Sequence, residues 1–297
     1  MTAARHLGEL GRTAAIVARN VVLGGNLSAF RLIRQPRVLV NYVNETLFLF
    51  QTFADRRPLP QRSVFEAFNV GPDVTIRLAN PRDGAWFHAI ASYAIDIVSL
   101  CVLARILQPK VVFEIGTLHG YTALHFALNT PADTEIFTLD LPRGHAGPVQ
   151  LATTVVDEQH IRSSVTTHHY LFEGYPEAAK IRCLFGDSAS FDFTPFHNRV
   201  GLFFIDGAHS YEYVRSDTLN ALKCCPPGSV IAWHDFGRVG VNGVSRWLAK
   251  LARRYDVVAT PGGSLAYLIV PDRDPTTGTG RRPNRHPATN GPARGLR

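Results

Sequence analysis

Cysteine is scarce in this 297-residue chain, and what there is follows no metal-binding or disulfide pattern. The four cysteines stand at 101, 183, 224 and 225, without a CxxC pair. That spacing excludes a zinc finger and a disulfide framework, so the thiols are expected to be reduced packing residues in a cytoplasmic protein. Also missing is an uninterrupted apolar run of the ~18 residues that a membrane-spanning helix needs. No GxGxxG dinucleotide fingerprint occurs after an apolar strand-length run, which counts against NAD as the ligand. A hydrophobic share of 45% in turn excludes wholesale disorder.

Positive charge is plentiful but unevenly placed. The net charge of +7 divides into +6 over residues 1–62 and +4 over 272–297, which leaves −3 for residues 63–271. A nucleic-acid groove is therefore not expected in the body of the chain. Residues 1–84 read as a helical N-terminal extension, with apolar runs at Ala14–Val22, Val38–Val43 and Leu47–Phe53 interrupted by arginines. Short amphipathic helices of this kind suit packing on the core or on a second copy in a homo-oligomer. Arg5, Arg12, Arg19, Arg31 and Arg34 alternatively suit peripheral contact with an anionic membrane surface. Residues 272–297, rich in Pro, Gly, Thr and Arg, read as a disordered tail.

Residues 85–271 alternate between strand-like and helix-like segments, the pattern of a mostly parallel sheet covered on both faces. Apolar runs of strand length lie at Val111–Ile115, Ile136–Asp140, Ile181–Phe185, Leu202–Asp206 and Val230–His234. Helical stretches are expected at Trp86–Leu107, Tyr121–Leu128, Tyr211–Cys224 and Val244–Tyr255. The chain closes with Val257–Ala259, a Pro261-Gly262-Gly263 turn and Leu265–Val270. Two strands joined by so short a turn must run antiparallel.

Ligands of open α/β sheets bind beyond the carboxyl ends of the strands, so the residues there carry the chemistry. The first strand ends in Glu114-Ile-Gly116-Thr117-Leu-His-Gly120. Gly116 suits a tight turn, and Gly120 suits close approach of the next helix to a ligand. Glu114 places an anion where a pyrophosphate would be repelled and a cation welcomed. Asp140, at the end of the second strand, suits two ribose hydroxyls or else a solvated turn. Asp187 and Ser188 end the third strand and suit an adenine edge. The next two strands deliver Asp206, His234 and Asp235 to one edge. Together these suit a hard divalent ion, although His234 and Asp235 equally suit a structural hydrogen-bonded pair. His209, three residues past Asp206, is placed to act as a general base or to orient the loop. His125 and the His168-His169 pair read as ordinary core or surface residues.

The segments FEIGTLHGYTALHFA, TLDLP, LFGDSASFDF, FIDGAHSYEYVRSDTLNALK and PPGSVIAWHDF resemble class I S-adenosylmethionine-dependent methyltransferases. More narrowly they resemble a bacterial group that includes sugar O-methyltransferases of macrolide biosynthesis and cephalosporin hydroxylase-like proteins. The resemblance covers roughly residues 85–270. It implies an α/β, Rossmann-like, doubly wound seven-stranded sheet that is mostly parallel and ends in an antiparallel hairpin. The candidate S-adenosylmethionine set is Glu114, Gly116, Thr117, Gly120, Asp140, Asp187 and Ser188. Where family members use magnesium, its ligands fall at Asp206 and Asp235, with a third acidic position at His234. A histidine is the poorer magnesium ligand, so either metal independence or another divalent cation follows. His209 falls where the family's base is placed, and Asp206 is the second candidate catalytic residue. The stretch Pro142–Lys180 is long for the family and is expected to add helices over the pocket. The expected activity is O-methylation of a hydroxylated small molecule, a sugar or natural product. The rivals are a silent methyltransferase-like binding module and an NAD-dependent oxidoreductase.

Overall fold

The computed structural model describes residues 59–79, 94–145, 147–163, 169–238 and 240–272, with the single positions 15, 18 and 22. The remainder of the basic N-terminal runs and the tail beyond Asp272 lie outside the described residues, as do the membrane and homo-oligomer readings that rest on them. No described helix is long and apolar enough to cross a membrane.

Seven strands form one sheet, in the order β3-β2-β1-β4-β5-β7-β6. Five are parallel and follow the apolar runs: β1 (Val111–Ile115), β2 (Glu135–Asp140), β3 (Ile181–Phe185), β4 (Leu202–Ile205) and β5 (Val230–Trp233). β6 (Val258–Ala259) and β7 (Ala266–Ile269) are the antiparallel hairpin, with β7 inserted against β5. Every residue of β1, β4 and β5 is buried, which explains why these strands lack polar alternation.

The helices are α1 (Val64–Ala67), α2 (Ala94–Leu107), α3 (Tyr121–Asn129), α4 (Val155–Ser163), α5 (Tyr211–Cys224) and α6 (Asn242–Leu251). They divide the core into two layers. One packs Phe113 against Phe137, Phe193, Phe196 and Phe203, with ring centroids 4.8–6.4 Å apart. The other packs Leu100, Leu103, Leu124 and Phe126 over Val112, Phe204 and Ala232. Cys224 and Cys225 close α5 as buried packing residues, as their adjacency suggested.

Residues 59–79 lie along this core. Arg62 N–H donates to the Ala259 carbonyl at 3.0 Å, and Ala259 N–H returns a bond to Pro60 at 2.9 Å. Asn129 exchanges two hydrogen bonds with the Arg77 backbone, while His125 Nε2 accepts from Ala79 N–H at 3.1 Å. His125 is therefore a core histidine that pins this segment to α3.

Candidate active site

Two glycines shape the floor of the site. Gly116 has φ +98° just past β1, and a Cβ there would lie 2.1 Å from the Asp206 carbonyl oxygen. Only glycine allows the β1 and β4 strand ends to close on each other in this way. Gly120 is also left-handed, but a Cβ there would strike the Phe172 ring at 2.5 Å. Its bareness seats an aromatic ring from the Pro142–Lys180 stretch, whereas the sequence suggested close approach to a ligand.

Above this floor, at the carboxyl ends of β1 to β5, opens a cavity of about 310 Å³. It lies where the chain reverses direction across the sheet, between β1 and β4, the usual ligand site of such folds. Gly116, Thr117, Asp140, Asp187, Ser188, Asp206, His209, His234 and Asp235 all line it. Glu114 and Gly120 do not.

Asp140 is held by backbone. Its Oδ2 accepts from the N–H groups of Thr117 (3.0 Å) and Leu118 (2.8 Å), and its Oδ1 from Leu141 N–H (2.7 Å). Burial raises its pKa, partly offset by those donors. Asp187 accepts from Gln150 N–H at 2.6 Å, Ala189 N–H at 2.9 Å and the Tyr213 hydroxyl at 2.9 Å.

Glu114 sits beneath the floor, 1% exposed, with Oε2 accepting from the Thr138 hydroxyl at 2.6 Å. Burial first, and then the charges of Asp206 and Asp140, push its pKa well above the ordinary carboxylate value. The anionic character of the cavity therefore comes from the lining aspartates, whereas the sequence placed it on Glu114. Among the described residues that line the cavity, none is Lys or Arg.

The other end of the cavity is a network of ion pairs. His209 is buried, its Nδ1 lying 2.6 Å from Asp157 Oδ1 and its Nε2 2.9 Å from Asp235 Oδ2. His234 Nδ1 lies 3.1 Å from Asp206 Oδ1 and 3.2 Å from Asp235 Oδ1, with Nε2 3.3 Å from Asp96 Oδ2. Burial alone would lower both imidazole pKa values, but the surrounding carboxylates outweigh it and raise them well above the usual range. Asp157, Asp96 and Asp235 are correspondingly lowered, against their own burial, by these histidines. Asp235 sits in the left-handed region with φ +59°, the turn that aims it back at both rings. Ser210, not Asp206, caps α5 by accepting from Tyr213 N–H at 3.2 Å, leaving Asp206 to the cavity.

Asp157 and Asp96 were not foreseen as site residues. Thr154-Val-Val-Asp157 is a legible helix start, in which Thr154 N–H donates to Asp157 Oδ2 at 2.7 Å. Asp96 is the lone acid in the apolar helix α2, a signal available in the sequence. Its carboxylate accepts from Ser264 N–H, Leu265 N–H and the Ser264 hydroxyl in the β6–β7 turn.

Ligand atoms of Asp206, His209 and Asp235 lie within 4.8 Å of one another. The expected set had His234 in place of His209. A divalent ion takes a neutral imidazole, yet each nitrogen of His209 and His234 already faces a carboxylate. Arg238 Nε adds a further cation 2.9 Å from Asp235 Oδ1. The donor set as folded does not fit a divalent ion, because both nitrogens of each imidazole face carboxylates and Arg238 holds Asp235.

Residues 113–236 match the family model described as a methyltransferase domain. No curated protein matches the chain. Similar solved structures include an O-methyltransferase from Streptomyces achromogenes involved in tomaymycin synthesis, in complex with S-adenosylmethionine. It is 22% identical, with 70% of this chain and 86% of that one covered at a TM-score of 0.41. An O-methyltransferase from Bacillus cereus in complex with S-adenosylhomocysteine is 18% identical, with 74% and 96% covered and a TM-score of 0.42. A TDP-rhamnose 3′-O-methyltransferase of calicheamicin biosynthesis is 16% identical, with 59% and 79% covered and a TM-score of 0.42. The fold is the expected α/β, Rossmann-like, seven-stranded sheet, mostly parallel and ending in an antiparallel hairpin. The resemblance to S-adenosylmethionine-dependent methyltransferases holds, with the domain match running from β1 to the turn after β5.

Proposed function

We propose that this protein transfers a methyl group from S-adenosylmethionine to a hydroxyl oxygen of a small molecule, without a metal ion. The observation that carries this reading is the convergence of Asp140, Asp187, Asp206 and Asp235 on one cavity inside the methyltransferase-domain match. When bound, S-adenosylmethionine supplies an electrophilic methyl group on a positively charged sulfur. The aspartate-lined wall favours that cation and disfavours the pyrophosphate of NAD.

Asp140 is the residue for the ribose hydroxyls, since three backbone donors fix its carboxylate in place. Asp187 and Ser188 take the adenine side, and Gly116 and Thr117 offer the backbone of the β1 turn. Glu114 acts from below, through Thr138, whose hydroxyl lies 2.7 Å from that of Thr117. Asp206 is the most open carboxylate of the ion-pair network, its side chain 30% exposed, and orients the acceptor hydroxyl. The helix and loop of Pro142–Lys180 cover the acceptor end through Val149, Thr153 and Ile161, which exclude water.

Calorimetric titration of the full chain with S-adenosylmethionine and with NAD tests the first half. Binding of the former alone is expected; binding of NAD alone overturns the reading. Radiolabelled transfer to catechol and to methyl glycosides in excess chelator tests the second. Transfer that persists supports the metal-free reading, and transfer that the chelator abolishes refutes it. Binding without transfer to any hydroxyl acceptor is the outcome of a silent binding module.

A further inference from the structure

Residues 149–161 form a strap over the cavity that is pinned at both ends. At the acceptor end, Asp157 in the first turn of α4 accepts from His209 N–H at 2.9 Å and faces its Nδ1 at 2.6 Å. At the cofactor end the pins are backbone groups. Gln150 N–H donates to Asp187 Oδ2 at 2.6 Å, and Leu151 N–H to the Tyr213 hydroxyl at 3.4 Å. Between the pins Thr153, Thr154 and Val155 are buried, and Thr154 and Asp157 exchange hydrogen bonds of 2.7 and 3.1 Å. Val149, Thr153, Asp157 and Ile161 of the strap line the cavity.

Tyr213 stands where the strap meets the cofactor end. It lies in the first turn of α5, is 4% exposed and lines the cavity. Its hydroxyl has one proton, and the Leu151 N–H beside it can only donate. That proton is therefore committed to Asp187, whose two oxygens both lie 2.9 Å away. Burial first, and the charge of Asp187 after it, outweigh the Leu151 donor and hold the phenol's pKa above its ordinary value. The hydroxyl keeps its proton. A carboxylate accepts at about four sites. Gln150 N–H, Ala189 N–H and the Tyr213 hydroxyl occupy three on Asp187, which leaves one for a donor in the cavity. One N–H of an exocyclic adenine amine suits it.

We propose that Tyr213 is a positioning residue that couples cofactor binding to the strap, by orienting the Asp187 carboxylate that both of them share. The proposal rests on the methyl-transfer reading above and deepens it. With the fourth site filled, the Asp187 carboxylate is fixed in its plane, so Gln150 N–H and the Tyr213 hydroxyl are held more firmly. The strap tightens. Through Thr154 and Asp157 the change reaches His209, whose Nε2 lies 2.9 Å from Asp235 Oδ2. The acceptor wall is thereby set by an occupied cofactor end before an acceptor arrives. Packing alone would be served as well by a phenylalanine; the coupling needs the hydroxyl.

Amide hydrogen exchange of the full chain, read on peptides spanning 148–163, tests the coupling without any acceptor. Saturating S-adenosylhomocysteine is expected to slow exchange of the wild-type strap by about tenfold. In Y213F at saturating S-adenosylhomocysteine, the strap is expected to exchange as fast as in the free protein. Peptides from α3 stay as protected as in wild type, which a general loss of stability would not allow. Calorimetry gives the second readout. Y213F is expected to weaken S-adenosylmethionine binding by about tenfold, as for one hydrogen bond to a charged group. In a D187A background the same substitution is expected to cost under about twofold, because Tyr213 acts through Asp187. A wild-type strap that ignores the cofactor, a Y213F strap that still responds to it, or losses that add in the double variant overturn the proposal. If Y213F unfolds, exchange rises in α3 as well, and the wild-type strap decides alone. If the wild-type chain fails to bind S-adenosylmethionine, the methyl-transfer reading fails; binding with an unresponsive strap sinks the coupling alone.

Discussion

The two ends of the cavity are built by different means. At the cofactor end, backbone N–H groups from the strand-end turns alone grip Asp140, and Asp187 takes two backbone N–H groups beside the Tyr213 hydroxyl. At the acceptor end, side chains grip side chains across long separations: Asp157 with His209, Asp96 with His234. A backbone-built site follows from the fold itself. A side-chain-built site exists only when several particular residues are all present, and it is there that this chain departs from the magnesium pattern it resembles.

This contrast can be broken by experiment. Asp140→Ala deprives three backbone donors of their acceptor as well as the ribose of its partner. S-adenosylmethionine affinity measured by calorimetry is expected to fall by about 100-fold or more, as for the loss of a charge-assisted hydrogen-bond set. A change under about threefold would show that this end does not depend on the carboxylate.

Asp157→Asn strikes the other end by leaving His209 with one carboxylate. Breaking a buried pair costs about 3–5 kcal/mol, or roughly 6–20 °C of melting temperature in a domain of this size. The pH dependence has a definite sign. Asp157 and Asp235 are lowered, so their contribution is present above the unfolded carboxylate value and lost as pH falls through the folded one. His209 and His234 are raised, so theirs is complete below the unfolded imidazole value and lost as pH rises through the folded one. Wild-type stability is therefore expected to decline on the alkaline side, and Asp157→Asn to flatten that decline in denaturant titrations.

Glu114→Gln gives the smallest effect and sharpens the difference between floor and lining. Because burial raises its pKa, native Glu114 holds its proton more tightly than the unfolded chain does. Wild-type stability falls as pH rises from the ordinary carboxylate value toward the folded one. The glutamine variant lacks that slope and is expected to be at least as stable as wild type at neutral pH. A loss of stability there would show that the charged form of Glu114 is used.

The same contrast decides what was legible in the sequence. Val111–Ile115 was read to the residue, because a strand buried on both faces is a bounded apolar run. Asp140, Asp187, Asp206 and Asp235 were legible as strand-end acids, since topology alone brings strand ends together. The hydrogen bonds of His209 were not, because its partner Asp157 lies in the long stretch after β2, where no periodicity fixes which face looks inward. Gly120 was read as giving close approach to a ligand; the close approach is there, but to the Phe172 ring, which lies in the stretch after β2 that no pattern places.

The Asp96 carboxylate joins the first turn of α2 to Ser264, 168 residues later, and touches His234 as well. Until the β6–β7 turn docks, Asp96 lacks its Ser264 and Leu265 donors, so the cavity wall that Asp96 shares with His234 is completed only when the hairpin closes on the sheet.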